Sequence, residues 1–391
     1  MMDLLLWPLH NIAGFVFGVI PLLIWLHLAF GRSLFWLFRE RDADQRLPAP
    51  EAWPRVVAVV PARDEADVIA RSLGSLIAQS YAGEFHIILV DDQSDDGTAI
   101  AARALSGGNV TVLNGSARPP GWTGKLWAMH QGLEAARDRA PDYVWFTDAD
   151  IAHAPDNLAR LVARAESGGL VLTSQMAKLS ARTLVEHFLI PAFVFFFAML
   201  YPFGAVNDPR RKLAAAAGGC MLARRDALEA VGGIEAIRRN IIDDVSLGKL
   251  MKGQGPIWLG LSNRAVSLRP YEKLSEVRRM VARSAFAELD YSLLKLIGTL
   301  AGLVLVYLAP PAVAQFANGP SQIAGWIACI IMVVMMQPIL RYYRLSPLWA
   351  FTLPIIAGFY AFFTLDSAIK YWQGRGGMWK GRAQSAARSE A

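Results

Sequence analysis

Two carboxylates, Asp148 and Asp150, directly follow a short run of aromatic and β-branched residues at positions 143–146. Such a run is typical of a buried strand. On a continuing strand, side chains two positions apart share a face, so both carboxylates are predicted to reach one ligand. Their oxygens suit Mg²⁺ or Mn²⁺ that carries a substrate diphosphate. An isolated Asp-x-Asp is most often a polar loop, so the rest of the chain must decide between these interpretations.

Two earlier strands are also predicted to end in acidic turns. Asp64 and Glu65 follow an apolar run at 56–60, and Asp92 follows a run at 86–90. Open α/β sheets bind their ligands at the carboxyl edge of the strands. The three acidic turns are therefore predicted to form one site, although each turn alone is compatible with a solvated loop.

A second acidic pair, Asp243 and Asp244, stands at the start of a predicted helix. Carboxylates at this position can simply cap a helix and interact with its dipole. They can also serve a function, and both interpretations stay open from the spacing alone.

The elements that must position these residues alternate between strand and helix. Apolar runs at 56–60, 86–90, 110–113 and 143–146 are separated by helical patterns. This alternation is typical of an α/β fold with a mostly parallel sheet covered by helices.

Composition adds a membrane component. The chain has 391 residues, of which 54% are hydrophobic and 18% charged, so it is too apolar for an ordinary soluble enzyme. Its two cysteines give no disulfide framework, and no zinc-site spacing is present. The net charge of +6 is compatible with nucleic acid or an anionic membrane surface. The hydrophobic runs favour the membrane, and no nucleic-acid partner is predicted.

The first hydrophobic run, at 12–30, predicts a transmembrane anchor within residues 1–34. Four arginines follow it, whereas no lysine or arginine precedes it. The positive-inside rule then places the N-terminus outside and a catalytic domain at 54–285 in the cytoplasm.

Three further runs, at 293–314, 323–340 and 348–365, predict transmembrane helices within a region at 293–366. Three crossings would leave the basic tail at 367–391 outside, yet its charges favour the inside. A re-entrant last segment bent at Pro354 is one solution, and the question stays open.

The run at 188–203 is also apolar, but a crossing there would separate Asp244 from Asp150. A segment near 186–206 is therefore predicted to be interfacial or re-entrant and to admit a lipid acceptor.

Several motifs match a known family, namely the segments 57–65, 90–98, 124–125 and 148–150. They resemble the nucleotide-sugar half of family 2 glycosyltransferases, which have the GT-A fold, with Asp64 where the family usually has Asn. The resemblance implies that Asp92 reads the uracil edge, Lys125 lies near the uracil or the phosphates, and Asp148 lies near the ribose. It further implies that Asp64 and Glu65 belong to the donor site and that Asp150, with Asp148, binds Mg²⁺ or Mn²⁺.

The same resemblance implies that Asp244 is the general base, with Asp243 beside it in place of the family's Glu. An alcohol that attacks an anomeric carbon must lose its proton, and a carboxylate within hydrogen-bond reach can accept it. Such a single displacement inverts the anomeric centre.

Four residues are predicted on the acceptor or diphosphate side. Gly219 would let a sugar ring approach the backbone closely. Arg279 and Arg283 lie near a remnant of the Gln-x-x-Arg-Trp motif of processive synthases, in which Gln and Trp are missing, so one sugar rather than a polymer is expected. A basic collar beside a membrane segment explains these arginines equally well. Arg382 ends a Trp-Lys-Gly-Arg segment that resembles lipid-modifying members, the hopene-associated glycosyltransferases.

The resemblance implies an inverting, metal-dependent enzyme that moves one sugar from a UDP-sugar to a hydroxyl of a membrane lipid, a hopanoid. It implies a bacterial inner-membrane protein with several crossings and a cytoplasmic catalytic domain. Two alternatives remain: a polyprenyl-phosphate glycosyltransferase, and a non-catalytic membrane scaffold that retains the fold.

Overall fold

A computed structural model of the protein describes residues 15–42, 47–380 and 382–383. The chain divides into two compact units. The helical unit contains the chain up to Arg39 together with Ala181–Gly204 and Tyr271–Gln373. The α/β unit contains Glu40–Ser180, Ala205–Pro270 and the chain from Gly374 onward. The last stretch of the chain therefore returns to the α/β unit.

In the described part of the α/β unit, eight strands form the main sheet in the order β3-β2-β1-β4-β7-β6-β8-β5. The strands are β1 (Val56–Ala62), β2 (Phe85–Asp91), β3 (Val110–Asn114), β4 (Tyr143–Phe146), β5 (Ile151–His153), β6 (Leu172–Lys178), β7 (Met221–Arg224) and β8 (Ile257–Ser267).

The sheet is parallel where the acidic turns were predicted. Neighbouring strands from β3 through β2 and β1 to β4 all pair in parallel, as do β6 and β8. β7 enters between β4 and β6 in the antiparallel sense, and β5 pairs antiparallel with β8. Every residue of β1 is buried, as expected for a central strand with helices on both faces. The predicted mostly parallel α/β fold is confirmed.

Helices cover this sheet, and glycines let two of them pack closely. Gly132 sits over Val59 of β1 and Val90 of β2, where no side chain would fit. Gly248 rests on the backbone of Ala215, 2.7 Å from where its Cβ would lie. The longer helices of the unit are Ile69–Ile77, Gly124–Ala136, Asn157–Gly168 and Asp243–Lys252, and the shorter ones are Thr98–Arg103 and Arg225–Ala230.

Among the described residues of the helical unit, three helices are long and apolar enough to span a membrane: Leu293–Phe316, Pro320–Tyr343 and Pro347–Trp372. They correspond to the three predicted C-terminal runs. Pro354 lies in the first turn of the α-helix Leu353–Trp372, where proline is tolerated, and the helix continues to Trp372. The re-entrant path considered for this segment stays a prediction.

Two shorter apolar helices belong to the same unit, Val16–Gly31 and Leu184–Leu200. The first covers most of the predicted anchor at 12–30, whose first residues lie outside the described part of the chain. The second covers most of the predicted interfacial run, and its start is fixed by a capping box between Thr183 and the buried Glu186. Its interfacial role stays a prediction.

Candidate functional site

The acidic turns predicted from the sequence lie at one edge of the sheet. Asp64 and Glu65 follow β1, Asp92 follows β2, and Asp148 follows β4. Because β2, β1 and β4 are parallel neighbours, their carboxyl ends meet at this edge.

The turn after β2 holds the turn after β1 in place. Ser94 Oγ accepts a hydrogen bond from the Asp64 N–H at 3.0 Å, and Thr98 Oγ1 accepts one from the Glu65 N–H at 2.8 Å. Asp64 has a φ of +49°, in the left-handed region that Asp and Asn tolerate better than most residues. This backbone geometry explains why Asp can stand where the family usually has Asn.

Asp92, predicted to read the uracil edge, is completely buried beside Arg63. The Arg63 guanidinium lies 3.8 Å from the Asp92 carboxylate and donates to the carbonyl oxygens of Asp92 and Gln93. A base that is read by this carboxylate would therefore require Arg63 or its surroundings to move.

The Asp148 and Asp150 side chains form ion pairs with different residues, Lys125 and Arg269. β4 ends at Phe146, and the two aspartates lie in the turn before β5, so the continuing strand predicted for them is wrong. Asp148 Oδ1 is 2.7 Å from Lys125 Nζ, whereas Asp150 Oδ2 is 3.4 Å from Arg269 Nε.

The two aspartates nevertheless fit a divalent cation. Burial raises the pKa of Asp148, and the charges of Asp150 and Asp243 raise it further, so negative charges crowd here. Among the described residues, no group of three or more His, Cys, Asp or Glu side chains could hold a metal alone. Mg²⁺ is typically bound by one or two carboxylates plus substrate phosphates, and this site offers that donor set.

Lys125 joins the donor side of the site to the second acidic pair. It lies in the first turn of the helix Gly124–Ala136, whose N-cap is Thr123. Its Nζ lies 2.7 Å from Asp148 and 2.9 Å from Asp243. Burial acts to lower the pKa of Lys125, but the two carboxylates outweigh this effect and raise it. The lysine is therefore a fixed positive charge.

Asp243 and Asp244 open the helix Asp243–Lys252, as predicted, but their surroundings differ. Asp243 pairs with Lys125, whereas Asp244 accepts backbone hydrogen bonds from Gly218 at 2.9 Å and Val245 at 2.8 Å. Burial and the neighbouring charge of Asp243 raise the pKa of Asp244 to about 6. A carboxylate of this kind is ionised near neutral pH and is basic enough to accept a proton.

Of the two adjacent glycines, Gly218 contacts the charged cluster and Gly219 does not face it. A Cβ on Gly218 would lie 3.3 Å from Lys125 Nζ and 3.5 Å from Asp244 Oδ2. A Cβ on Gly219 would instead meet Ala177 and Ile151 at 3.3 Å. The Gly219 carbonyl oxygen accepts a hydrogen bond from Thr147, so Gly219 supports the site through its backbone.

Two site residues were not predicted from the sequence, Arg269 and Lys380. Arg269 follows β8 and forms ion pairs with both Glu65 and Asp150. Lys380 Nζ lies 2.8 Å from Glu65 Oε1. Burial raises the pKa of Glu65 to about 7, against the lowering effect of these cations. Lys380 belongs to the Trp-Lys-Gly-Arg segment, which was the available signal, whereas nothing near Arg269 marks it.

The arginines predicted on the acceptor side fall in two different units of the chain. Arg279 and Arg283 belong to the helical unit, in and just after the helix Leu274–Ala282. Arg382 belongs to the α/β unit, and its backbone pairs with that of Trp379. Their roles stay predictions.

The sheet, its acidic edge and the helix that carries Asp244 define a GT-A glycosyltransferase domain. Residues 57–232 match the family model described as Glycosyl transferase family 2. The chain thus carries a family 2 glycosyltransferase domain, and the family predicted from its motifs is confirmed.

Comparison with known proteins agrees with this assignment. The chain is 32% identical over 123 residues to the succinoglycan biosynthesis protein ExoO of Rhizobium meliloti (strain 1021), and the match covers 31% of this chain. It spans only 33% of the length of that relative.

Among solved structures, the mannosyltransferase PcManGT from Pyrobaculum calidifontis, in complex with GDP-Man and Mn2+, has a TM-score of 0.56 at 19% identity. The match covers 91% of this chain and 99% of that one, and it supports the fold. Mannosyl-3-phosphoglycerate synthase from Rubrobacter xylanophilus has a TM-score of 0.42 at 17% identity, over 66% of this chain and 84% of that one.

Proposed function

We propose that the protein transfers one sugar, with inversion, from a UDP-sugar to a hydroxyl of a membrane lipid. The observation that carries this proposal is the position of Lys125, which bridges Asp148 on the donor side and Asp243 on the other side. Asp244, next to Asp243, then stands close to the donor edge with a pKa suited to a base.

The donor side of the proposal is supported by residue chemistry. The Asp92 carboxylate is an acceptor that suits the imide N–H of uracil, and Lys125 is a point charge that suits a phosphate. Asp64 and Glu65 line the same edge, and Asp148 would contact the ribose. The solved mannosyltransferase carries GDP-Man, so GDP is the competing nucleotide to test.

A divalent cation, Mg²⁺ or Mn²⁺, would be held by Asp150 and Asp148. When bound, it would neutralise the charge that develops on the leaving diphosphate. Arg269 forms an ion pair with Asp150, and this contact would have to break for the cation to bind. Its second partner, Glu65, would keep it near the site.

Proton transfer would fall to Asp244. The backbone N–H groups of Gly218 and Val245 orient its carboxylate, so its position does not depend on the substrate. The acceptor hydroxyl would lose its proton to this carboxylate as it attacks the anomeric carbon. Lys125 pairs with Asp243 alongside, and the negative charge of Asp243 raises the pKa of Asp244.

A lipid acceptor is supported by the three helices that are long and apolar enough to span a membrane. The Trp-Lys-Gly-Arg segment favours a hopanoid as the first lipid to test, with Gly219, Arg279, Arg283 and Arg382 proposed on the acceptor side. The protein is proposed to lie in the bacterial inner membrane with the α/β unit in the cytoplasm.

The test is a transfer assay with purified protein in nanodiscs. UDP-sugars and GDP-mannose are supplied as donors, with Mg²⁺ or Mn²⁺, and hopanoids or polyprenyl phosphates as acceptors. Mass spectrometry of the lipids should detect a hopanoid that carries one added hexose. Glycosylation of polyprenyl phosphate alone would favour the alternative acceptor. Nucleotide binding without any product on these or extracted lipids would favour a scaffold.

A further inference from the structure

Lys380, from the last stretch of the α/β unit, lies against the loop proposed to bind the donor. It occupies the turn between two short antiparallel strands, Met378–Trp379 and Arg382–Ala383. Its Nζ is 2.8 Å from the Asp64 carbonyl oxygen and 2.8 Å from Glu65 Oε1. The Lys380 side chain is 21% exposed and that of Glu65 is 9% exposed, so this ion pair is largely shielded from water. Such a pair is more than a surface contact.

The backbone of Lys380 contacts the same site. Arg63 donates a hydrogen bond to the Lys380 carbonyl oxygen at 3.4 Å. The same guanidinium lies beside the buried Asp92 carboxylate. Arg63 therefore contacts both the tail, at Lys380, and Asp92, the residue proposed to read the base. A displacement of Arg63 would alter both contacts.

Four charged side chains contact one another around Glu65. Glu65 and Asp150 contribute two negative charges, and Lys380 and Arg269 contribute two positive charges that contact them. A nucleoside diphosphate would add negative charge at this edge and compete for both cations. Lysine suits such an exchange because its ammonium is a compact charge on a flexible stem, which can move while the backbone stays in place.

We propose that Lys380 is a donor-binding residue whose ammonium leaves Glu65 and binds the diphosphate of the nucleotide sugar. This inference rests on the proposed nucleoside-diphosphate donor. It places a phosphate ligand outside the matched family segment 57–232, in the tail.

The test compares ligands with and without the diphosphate. Calorimetry on the full chain in detergent measures the affinity for UDP and for uridine, and GDP with guanosine forms a parallel pair. The variants are Lys380→Met, which keeps an unbranched apolar stem but removes the ammonium, and Lys380→Arg, which keeps the charge. Lys295→Met is the matched control, because Lys295 forms an exposed ion pair with Asp290 in the helical unit.

Lys380→Met should bind the diphosphate about 10-fold more weakly or worse, as expected for a lost charged hydrogen bond, with nucleoside affinity within about twofold of the wild type. Lys380→Arg should retain most of the affinity, and Lys295→Met should match the wild type. Unchanged or increased UDP affinity in Lys380→Met would overturn the inference alone, as would equal losses for UDP and uridine. A wild-type chain that binds neither diphosphate would overturn the proposed donor as well.

Discussion

Asp243 and Asp244 are chemically identical neighbours with different surroundings, and the roles proposed for them rest on this difference. Lys125 pairs with Asp243 at 2.9 Å, whereas backbone N–H groups orient Asp244. Burial and the neighbouring charge of Asp243 raise the pKa of Asp244 to about 6, which suits a general base. The single-residue predictions follow from this difference.

Asp244→Asn should lower kcat by about 100-fold or more, because the amide keeps the shape but cannot accept a proton. Asn caps helices about as well as Asp, so the fold should be retained. The measurement is kcat beside UDP affinity, with Asp243→Asn as the matched variant. Near-normal turnover in Asp244→Asn, or a larger loss in Asp243→Asn, would assign the base elsewhere.

Acid should inactivate the enzyme through the same residue. Because the pKa of Asp244 is raised to about 6, kcat/KM should fall as the pH drops through that value and the base becomes protonated. Stability should respond in the opposite direction, since a raised carboxyl pKa favours the folded state at low pH and this benefit is lost as pH rises through about 6. A pH profile of kcat/KM without an inflection near 6 would contradict this assignment.

Asp150→Ala should abolish metal-dependent UDP binding, because the diphosphate loses the carboxylate that anchors its cation. Asp156→Ala is the matched control, since Asp156 is an exposed carboxylate paired with Arg264 in the same unit. Titration of UDP with and without Mn²⁺ measures the effect. Equal metal stimulation in Asp150→Ala and the wild type would exclude Asp150 as the ligand.

The sequence allowed much of the site to be predicted at this scale. Apolar runs that end in acids identify Asp64, Asp92 and Asp148 at one edge, because burial and strand polarity are local properties. Arg269 and Lys380 escaped prediction since they reach Glu65 only through the tertiary fold, across more than 200 residues. Their partners are long-range contacts that no local pattern records.

Among the elements, the helix Asp243–Lys252 has the tightest packing that bears on catalysis. Gly248 lets this helix lie directly on the backbone at Ala215 and Ala216, and this contact helps to position Asp244 next to Gly218. A helix held by such a contact cannot move toward the sheet.

Gly248→Ala should therefore lower the free energy of unfolding by about 1–3 kcal/mol and reduce kcat, because the added methyl group forces the helix and Asp244 outward. Gly74→Ala is the control: Gly74 also lies in a helix of the α/β unit, and its Cβ would meet open space. That control should keep or gain stability. Thermal unfolding and kcat, measured on both variants, decide; equal behaviour of the two would contradict the packing argument.

The strands and helices were easier to predict from the sequence than the turns that follow them. The strand at 143–146 was predicted with the bounds it has, but the sequence does not show that the strand ends there and that Asp148 and Asp150 pair with different residues. Turn geometry here depends on Thr147, which donates to the distant Gly219 carbonyl, and on the later pairing of β5 with β8. Such pairing is tertiary information.

For the whole molecule, the return of the tail to the α/β unit limits how the chain crosses a membrane. Pro270 and Gly374 border the same unit, and Lys380 in the stretch after Gly374 contacts Glu65, so both borders should lie on one side of the membrane. The chain between them should therefore cross an even number of times, although three helices are long enough to span. At least one of the three is expected to enter without crossing fully.

Cysteine labelling in intact cells or sealed vesicles tests this expectation. In a chain that lacks Cys329 and keeps only the buried Cys220, cysteines introduced one at a time at the exposed positions Ser106 and Arg375 should react with a membrane-impermeant reagent from the same side. A cysteine at Lys295, at the start of the first long helix, is a further marker. Labelling of positions 106 and 375 from opposite sides would contradict an even number of crossings.

The contact between Lys380 and Glu65 also sets a time at which the site can exist. Glu65 is made early, but its partner leaves the ribosome only after all three long helices have been synthesised. Until Lys380 has been synthesised, Glu65 would have Arg269 as a cationic partner but would lack the second one. The cluster around Glu65 is thus completed only after the three long helices have been made, so folding of this edge should finish late and should depend on the stretch that follows those helices.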